Sequence, residues 1–242
     1  MPRVDLKIRA KNVLATDHWG YVGIVFLTGL LIAAGTGIAS LIPFGGILAS
    51  LFITFPLSVG LIKTLILKRE TGNGGLDTVF SAYKENLTNV MLVMFMRELF
   101  VFLWSLLFVI PGIYKHYQYY LVPYILAENP NMSYKDALQL SRDLTNGHKF
   151  EIFVVELSFI GWGILSCFTL GILAIVYVGP YISLTMVEVY MYLKWKMFGD
   201  NDPFRTVGQN PNMNQDVNVE NATVEQPVND QPTVDDNTFE QK

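Results

Sequence analysis

From Trp19 to Ile62 the chain runs for 44 consecutive residues without a formal charge. One membrane-crossing helix needs about 20 apolar residues, so this run is long enough for two. The Pro43-Phe44-Gly45-Gly46 turn divides it into a helical hairpin. A soluble domain carries about a quarter charged residues, whereas 16% of this 242-residue chain is charged and 51% is hydrophobic. These features exclude a soluble enzyme, a nucleic-acid binder and a disulfide scaffold, the last also because Cys167 is the only cysteine. What remains is an all-α fold, a polytopic transmembrane helical bundle. Helices satisfy their own backbone groups in lipid, and no segment has the alternating pattern of a barrel strand. The first apolar run is too long for the core of a cleavable signal peptide, so the N-terminal segment is expected to be retained.

Charge is segregated along the chain. Residues 1–199 hold 15 Lys and Arg against 12 Asp and Glu, whereas residues 200–242 hold 2 against 9. Three domains are expected: an amphipathic cytoplasmic N-terminal helix over 1–18, a six-span transmembrane domain over 19–198, and an acidic cytoplasmic tail over 199–242. The tail is rich in Asn, Asp, Gln, Pro and Val, cannot bury enough apolar surface to offset chain entropy, and is expected to be disordered. The spans are placed at about 20–42, 46–66, 89–110, 113–128, 152–169 and 172–195. The fourth is short and crosses only if it starts near Gly112 and Lys115 snorkels outward. Without that crossing, everything after it would reverse.

Orientation follows the basic residues. Arg3, Lys7, Arg9 and Lys11 lie before the first span, Lys63, Lys68, Arg69 and Lys84 between 63 and 88, and Lys135, Arg142 and Lys149 between 129 and 151. Lys115 alone is expected on the opposite side, so both termini should be cytoplasmic. Two cytoplasmic segments look amphipathic. Residues 3–16 set Val4, Leu6, Ile8, Ala10, Val13 and Leu14 against Arg3, Lys7 and Lys11, as in a helix lying in an anionic lipid surface or one packed on its own bundle. Residues 133–145 start at Ser133 as N-cap, with Asp136 at the third helical position, and stop at Asn146-Gly147.

The spacings of zinc proteases, phosphate-binding loops and zinc ribbons are absent. His18, His116 and His148 fall in three separate regions, so no catalytic, cofactor-binding or metal-binding residue is assigned. The informative feature is intramembrane charge: Arg97, Glu98, Glu156 and Glu188, all placed in the cytoplasmic half of the bilayer. Each costs about 2.5–3.5 kcal/mol near mid-bilayer and is expected to face the bundle and find a partner. One reading is a structural clamp in which Arg97 pairs with Glu156 or Glu188. The other is a polar cavity open to the cytoplasm that takes a cation, a proton or a polar headgroup. A catalytic carboxylate site is a third option. Pro56, Pro123 and Pro180 recur in the inward-returning helices, and the repeated Pro-Tyr-Ile at 123–125 and 180–182 hints at a duplicated hairpin.

The run from Ser133 to Gly171, SYKDALQLSRDLTNGHKFEIFVVELSFIGWGILSCFTLG, resembles a family of bacterial multi-pass membrane proteins of unknown function. RAKNVLATDHWG (9–20), FPLSVGLIKTLILKRETGN (55–73), LWSLLFVIPGIYKHYQYYLVPYILAENP (103–130) and VGPYISLTMVEVY (178–190) carry the same likeness. The family is distantly similar to the membrane domain found with some glycerophosphodiester phosphodiesterases, where that domain is the non-catalytic partner. The resemblance implies six helices, a bacterial plasma-membrane location and no established activity. The expected role is therefore that of a non-enzymatic envelope or accessory membrane component. Its partners would be the bilayer and, as an option, other membrane proteins, with no nucleic acid and no cofactor. The alternative is a small carrier or lipid-handling protein built around the charged cluster.

Overall fold

The computed structural model describes residues 1–169 and 171–199. The acidic tail expected from residue 200 onward lies outside the described residues, which are helical with no strand among them. Three long hairpins follow an N-terminal helix. The chain enters through α1 (Arg3–Thr16) and rises in α2 (His18–Ala39). It returns through α3 (Gly45–Ala49), a π-helical turn (Ser50–Thr54) and α4 (Phe55–Thr71). Two short helices, α5 (Leu76–Val79) and α6 (Ser81–Glu85), lead to α7 (Leu87–Leu107). The second return is α8 (Val109–Gln118) and α9 (Val122–Glu128), followed by α10 (Tyr134–Leu144). The third hairpin runs out through α11 (Lys149–Leu157) and α12 (Ile160–Phe168), then back through a π-helical turn (Ala174–Val178) and α13 (Gly179–Phe198).

Five helical stretches are long and apolar enough to cross a membrane: His18–Ala39, Gly45–Thr71, Leu87–Leu107, Lys149–Phe168 and Ala174–Phe198. The fourth expected span differs. Residues 113–128 do not form one rod but are divided between α8 and α9 at Tyr119–Leu121. The third expected span also ends earlier, because the chain turns at an extended Phe108 and Pro111 sits inside the first turn of α8. That turn folds α8 back along α7. A Cβ at Gly112 would meet Ser105 Oγ at 2.2 Å, so the close approach depends on glycine there.

The return helices share a device. Each of α4, α9 and α13 carries proline in its first turn, where the missing N–H costs little. Proline cannot donate to the carbonyl four residues earlier, so the backbone before each one is irregular: a π-helical turn, a break, and a second π-helical turn. Two of the carbonyls that lose this bond take side-chain donors. Phe52 O, four before Pro56, accepts from Tyr83 Oη at 2.7 Å. Tyr119 O, four before Pro123, accepts from Arg97 Nε at 2.9 Å. Ser141 Oγ and Thr145 Oγ1 of the α10 region donate to Gln118 O at 3.0 and 3.2 Å, and Leu121 N donates to Ser141 Oγ at 3.3 Å. The break is thus held by its neighbours.

The return helices also form the core. Leu57, Val59 and Leu65 of α4, Val122, Ile125 and Leu126 of α9, and Leu184, Val187 and Tyr190 of α13 are buried. The outgoing helices show apolar side chains outward instead, such as Leu30 and Leu31, Phe102 and Leu103, and Ile164 and Leu165. That is the pattern of a bundle solvated by lipid on its flanks.

The N-terminal helix packs on its own bundle. Leu6, Ala10 and Leu14, one turn apart, are buried where α1 lies against α13, while Val4 and Ile8 stay exposed. The terminal amine of Met1 pairs with Glu151 at 2.7 Å. Lys7 hydrogen-bonds Ser158 and lies 4.5 Å from the Phe159 ring centroid, and its partial burial lowers its pKa. Asp17 caps α2 through Gly20 N at 3.1 Å and pairs with Lys68 at 2.6 Å. Those bonds, Lys68 first, hold its carboxyl below the ordinary carboxylate range. Ser133 caps α10 as expected, accepting from Asp136 N at 3.3 Å.

Gly60 is where α4 meets α5. A Cβ there would fall 1.8 Å from Val79 O. Gly60→Ala should therefore force the two helices apart and cost about 1–3 kcal/mol. Thermal unfolding of the purified protein should show a clear loss for Gly60→Ala and almost none for Gly23→Ala, where a Cβ meets open space.

Candidate functional site

The four charged residues singled out in the sequence do not form one cluster. Arg97 and Glu98 pair with each other, and Arg97 also donates to the Tyr119 carbonyl. The expectation that Arg97 would pair with Glu156 or Glu188 is corrected here, for a geometric reason. The α8–α9 break turns the Tyr119 carbonyl toward α7, where it accepts from Arg97 Nε as well as from Val122 N at 3.3 Å. Arg97 Nη1 then meets Glu98, whose side chain is flexible and 47% exposed.

Glu156 of α11 faces the same region but takes a different partner. Tyr117 Oη donates to Glu156 Oε2 at 2.6 Å. His116 lies within the electrostatic reach of Arg97, Glu156 and Glu98 together. Three of the four residues therefore converge on the aromatic face of α8 and the break. Tyr117 stacks on Tyr120 and Tyr120 on Tyr124, with ring centroids 6.2 and 6.4 Å apart, and Tyr124 meets Tyr190 at 5.5 Å. This chain of ring contacts runs from Tyr117, the partner of Glu156, to the buried Tyr190.

Glu188 belongs elsewhere. It is 2% exposed and forms a two-pronged pair with Arg69 of α4, with Nε on Oε1 and Nη2 on Oε2 at 2.9 Å. A second buried pair was not anticipated. Lys194 Nζ binds Glu128 Oε1 at 2.6 Å, and Tyr190 Oη donates to Glu128 Oε2 at 2.6 Å. The apolar runs stop near Arg69, Glu128 and Lys194, so hydropathy alone places them in a loop or at span ends. The signal that finds them is helical spacing. Arg69 follows buried Leu65 by four and Ile66 by three, and Glu128 stands likewise to Tyr124 and Ile125. Each continues a buried stripe one turn past the apolar run.

Lys115 is also displaced from its expected place. Because α8 doubles back, Lys115 comes within electrostatic reach of Arg142 and Lys149, rather than standing alone at the far side. Gln118 Oε1, at the break, is a buried side-chain oxygen without a hydrogen-bond partner among the described residues. No group of three or more His, Cys, Asp or Glu suited to a metal ion occurs among the described residues.

Chemically, the buried charges act as crosslinks. Removing one partner of such a pair strands the other and typically costs about 3–5 kcal/mol, whereas an exposed pair contributes about 0–1 kcal/mol. Arg69→Ala and Glu188→Ala should each lower the melting temperature steeply, and the double variant should recover part of the loss. Glu98→Ala should change it little. A double-mutant cycle on detergent-purified protein measures both.

Residues 106–196, from the end of α7 to the last turns of α13, match the model of a family described as a protein of unknown function, DUF975. No curated protein and no solved structure matches the chain. Of the stretches that carry the resemblance to an uncharacterised family, Ser133 to Gly171 and 178–190 lie inside the matched region and 103–130 mostly does, whereas 9–20 and 55–73 lie outside it.

Proposed function

We propose that this chain is a non-enzymatic component of the bacterial plasma membrane, an envelope protein or an accessory subunit to other membrane machinery, with both termini in the cytoplasm. The observation that carries this reading is how its polar groups are used. Arg69, Glu188, Glu128 and Lys194 join separate helices, and Arg97 completes the backbone at a break. Groups committed to such bonds hold a scaffold together. The distant likeness to the non-catalytic membrane domain of glycerophosphodiester phosphodiesterases supports the same role. The carrier reading asks Arg97, Glu98, Glu156 and Glu188 to share one cavity, and the engagement of Glu188 by Arg69 weighs against it.

Two measurements test the proposal. With Cys167 replaced, a membrane-impermeant thiol reagent added to intact cells should modify Phe44→Cys, whose parent side chain is 81% exposed. The same reagent should spare Asn73→Cys and Gln139→Cys. Labelling of the latter two from outside would reverse the orientation. Photo-crosslinking in native membranes should trap a discrete adduct with another membrane protein. Recovery of the uncrosslinked chain alone, from probes placed on every exposed helix face, would remove the accessory role.

A further inference from the structure

The face of α10 that looks toward α7 and the α8–α9 break holds a groove of about 330 Å³. Its walls combine Phe100, Tyr119, Tyr134 and Leu138 with two cations, Lys135 and Arg142. That volume is near the lower end of ligand pockets, about 300–1,000 Å³, and suits a small polar head rather than a whole lipid. The amphipathic α10 produces this arrangement. Its apolar stripe of Ala137, Leu138 and Leu144 is buried, while Lys135 and Arg142, seven positions apart, share the outer face.

Positive charge accumulates around the groove. Lys115 and Lys149 add to Arg142, and Arg142 and Lys149 both act on Lys115 as like charges. None of Lys115, Lys135, Arg142 and Lys149 makes an ion pair among the described residues. The lysines rest on aromatic faces instead: Lys115 5.0 Å from the Trp104 centroid, Lys135 5.9 Å from Tyr134, and Lys149 4.9 Å from Tyr114. The two carboxylates of α10 have other partners: Asp136 accepts from Ser133 Oγ at 2.7 Å, and Asp143 from Gln139 Nε2 at 2.9 and 3.0 Å. Gathering like charges without a counter-charge is unfavourable unless an anion completes the site. Lys and Arg bind phosphate oxygens through charge-assisted hydrogen bonds, and basic pockets between membrane helices are where anionic headgroups bind.

We infer that this groove binds the headgroup of an anionic phospholipid. Arg142 and Lys135 contact the phosphate, Lys115 and Lys149 set the local potential, and an acyl chain lies along α7. The lipid is favoured over a free anion because Phe100 leads, one and two turns on, to Leu103 and Leu107. Those side chains are 48% and 66% exposed on a helix long and apolar enough to span the bilayer. A soluble phosphate would make no use of that apolar track. This site goes beyond the scaffold role and needs only that the chain sits in a membrane.

The test is the thermal stability of the full chain in neutral detergent with added dioleoyl phosphatidylglycerol, dioleoyl phosphatidylcholine or inorganic phosphate. Phosphatidylglycerol well above its dissociation constant should raise the melting temperature by roughly 5 °C over phosphatidylcholine, and inorganic phosphate should not. Lys135→Gln with Arg142→Gln should abolish the shift. The charge-matched control, Lys11→Gln with Lys84→Gln, alters exposed lysines elsewhere and should keep it. An unchanged shift in the groove variant, or none in the wild type, would overturn the site. An equal shift from inorganic phosphate would overturn the lipid assignment. A lost shift in both variants would reduce the effect to net charge and overturn the site as well.

Discussion

The bundle depends on α13 carrying two buried charges that answer to different neighbours. Glu188 and Lys194 are six positions apart, which on an α-helix directs them roughly 120° from each other. Glu188 meets Arg69 on α4, and Lys194 meets Glu128 at the end of α9. One helix thereby ties the return strokes of the other two hairpins. Four charges in a low-dielectric interior are tolerable only when each is paired and its remaining atoms are satisfied. The fork of Arg69 on both oxygens of Glu188, and the Tyr190 hydroxyl on Glu128, supply that satisfaction. The location of α13 then guides that of α1, whose buried Leu6, Ala10 and Leu14 lie where the two helices pack.

The second organising constraint is the repeated proline. In lipid an abandoned backbone carbonyl costs several kcal/mol, so every proline-started helix needs donors nearby. Tyr83 and Arg97 serve that purpose for Phe52 and Tyr119. A charged residue in an apolar helix can therefore be there for the backbone rather than for a carboxylate or a ligand. Arg97 illustrates this: apart from its neighbour Glu98, it donates to a main-chain oxygen at the break. The turn at Phe108 folds α8 back along α7 and against α11, which brings Lys115 within electrostatic reach of Arg142 and Lys149, and the α8–α9 break then lines a basic, aromatic-walled groove. A backbone interruption thus decides where surface charge collects.

Helical class, the hairpin rhythm, the proline positions and the Ser133 cap were all legible in the sequence, because each follows from local chemistry. Apolar length, the absent N–H of proline and the side-chain bond of a cap act within a few residues. The packing of α1 was half legible: its periodicity announced a buried stripe but left open whether lipid or protein would cover it. Only the tertiary structure chose α13. It also decided the ion pairs. Arg69 and Glu188 are 119 residues apart, and Glu128 and Lys194 are 66 apart. Hydropathy windows end at such charges and so class them as boundaries. Whether a charge at the end of an apolar run reaches water or a buried partner depends on which distant helix stands beside it. That neighbour is set by the packing of all three hairpins, which no local pattern records.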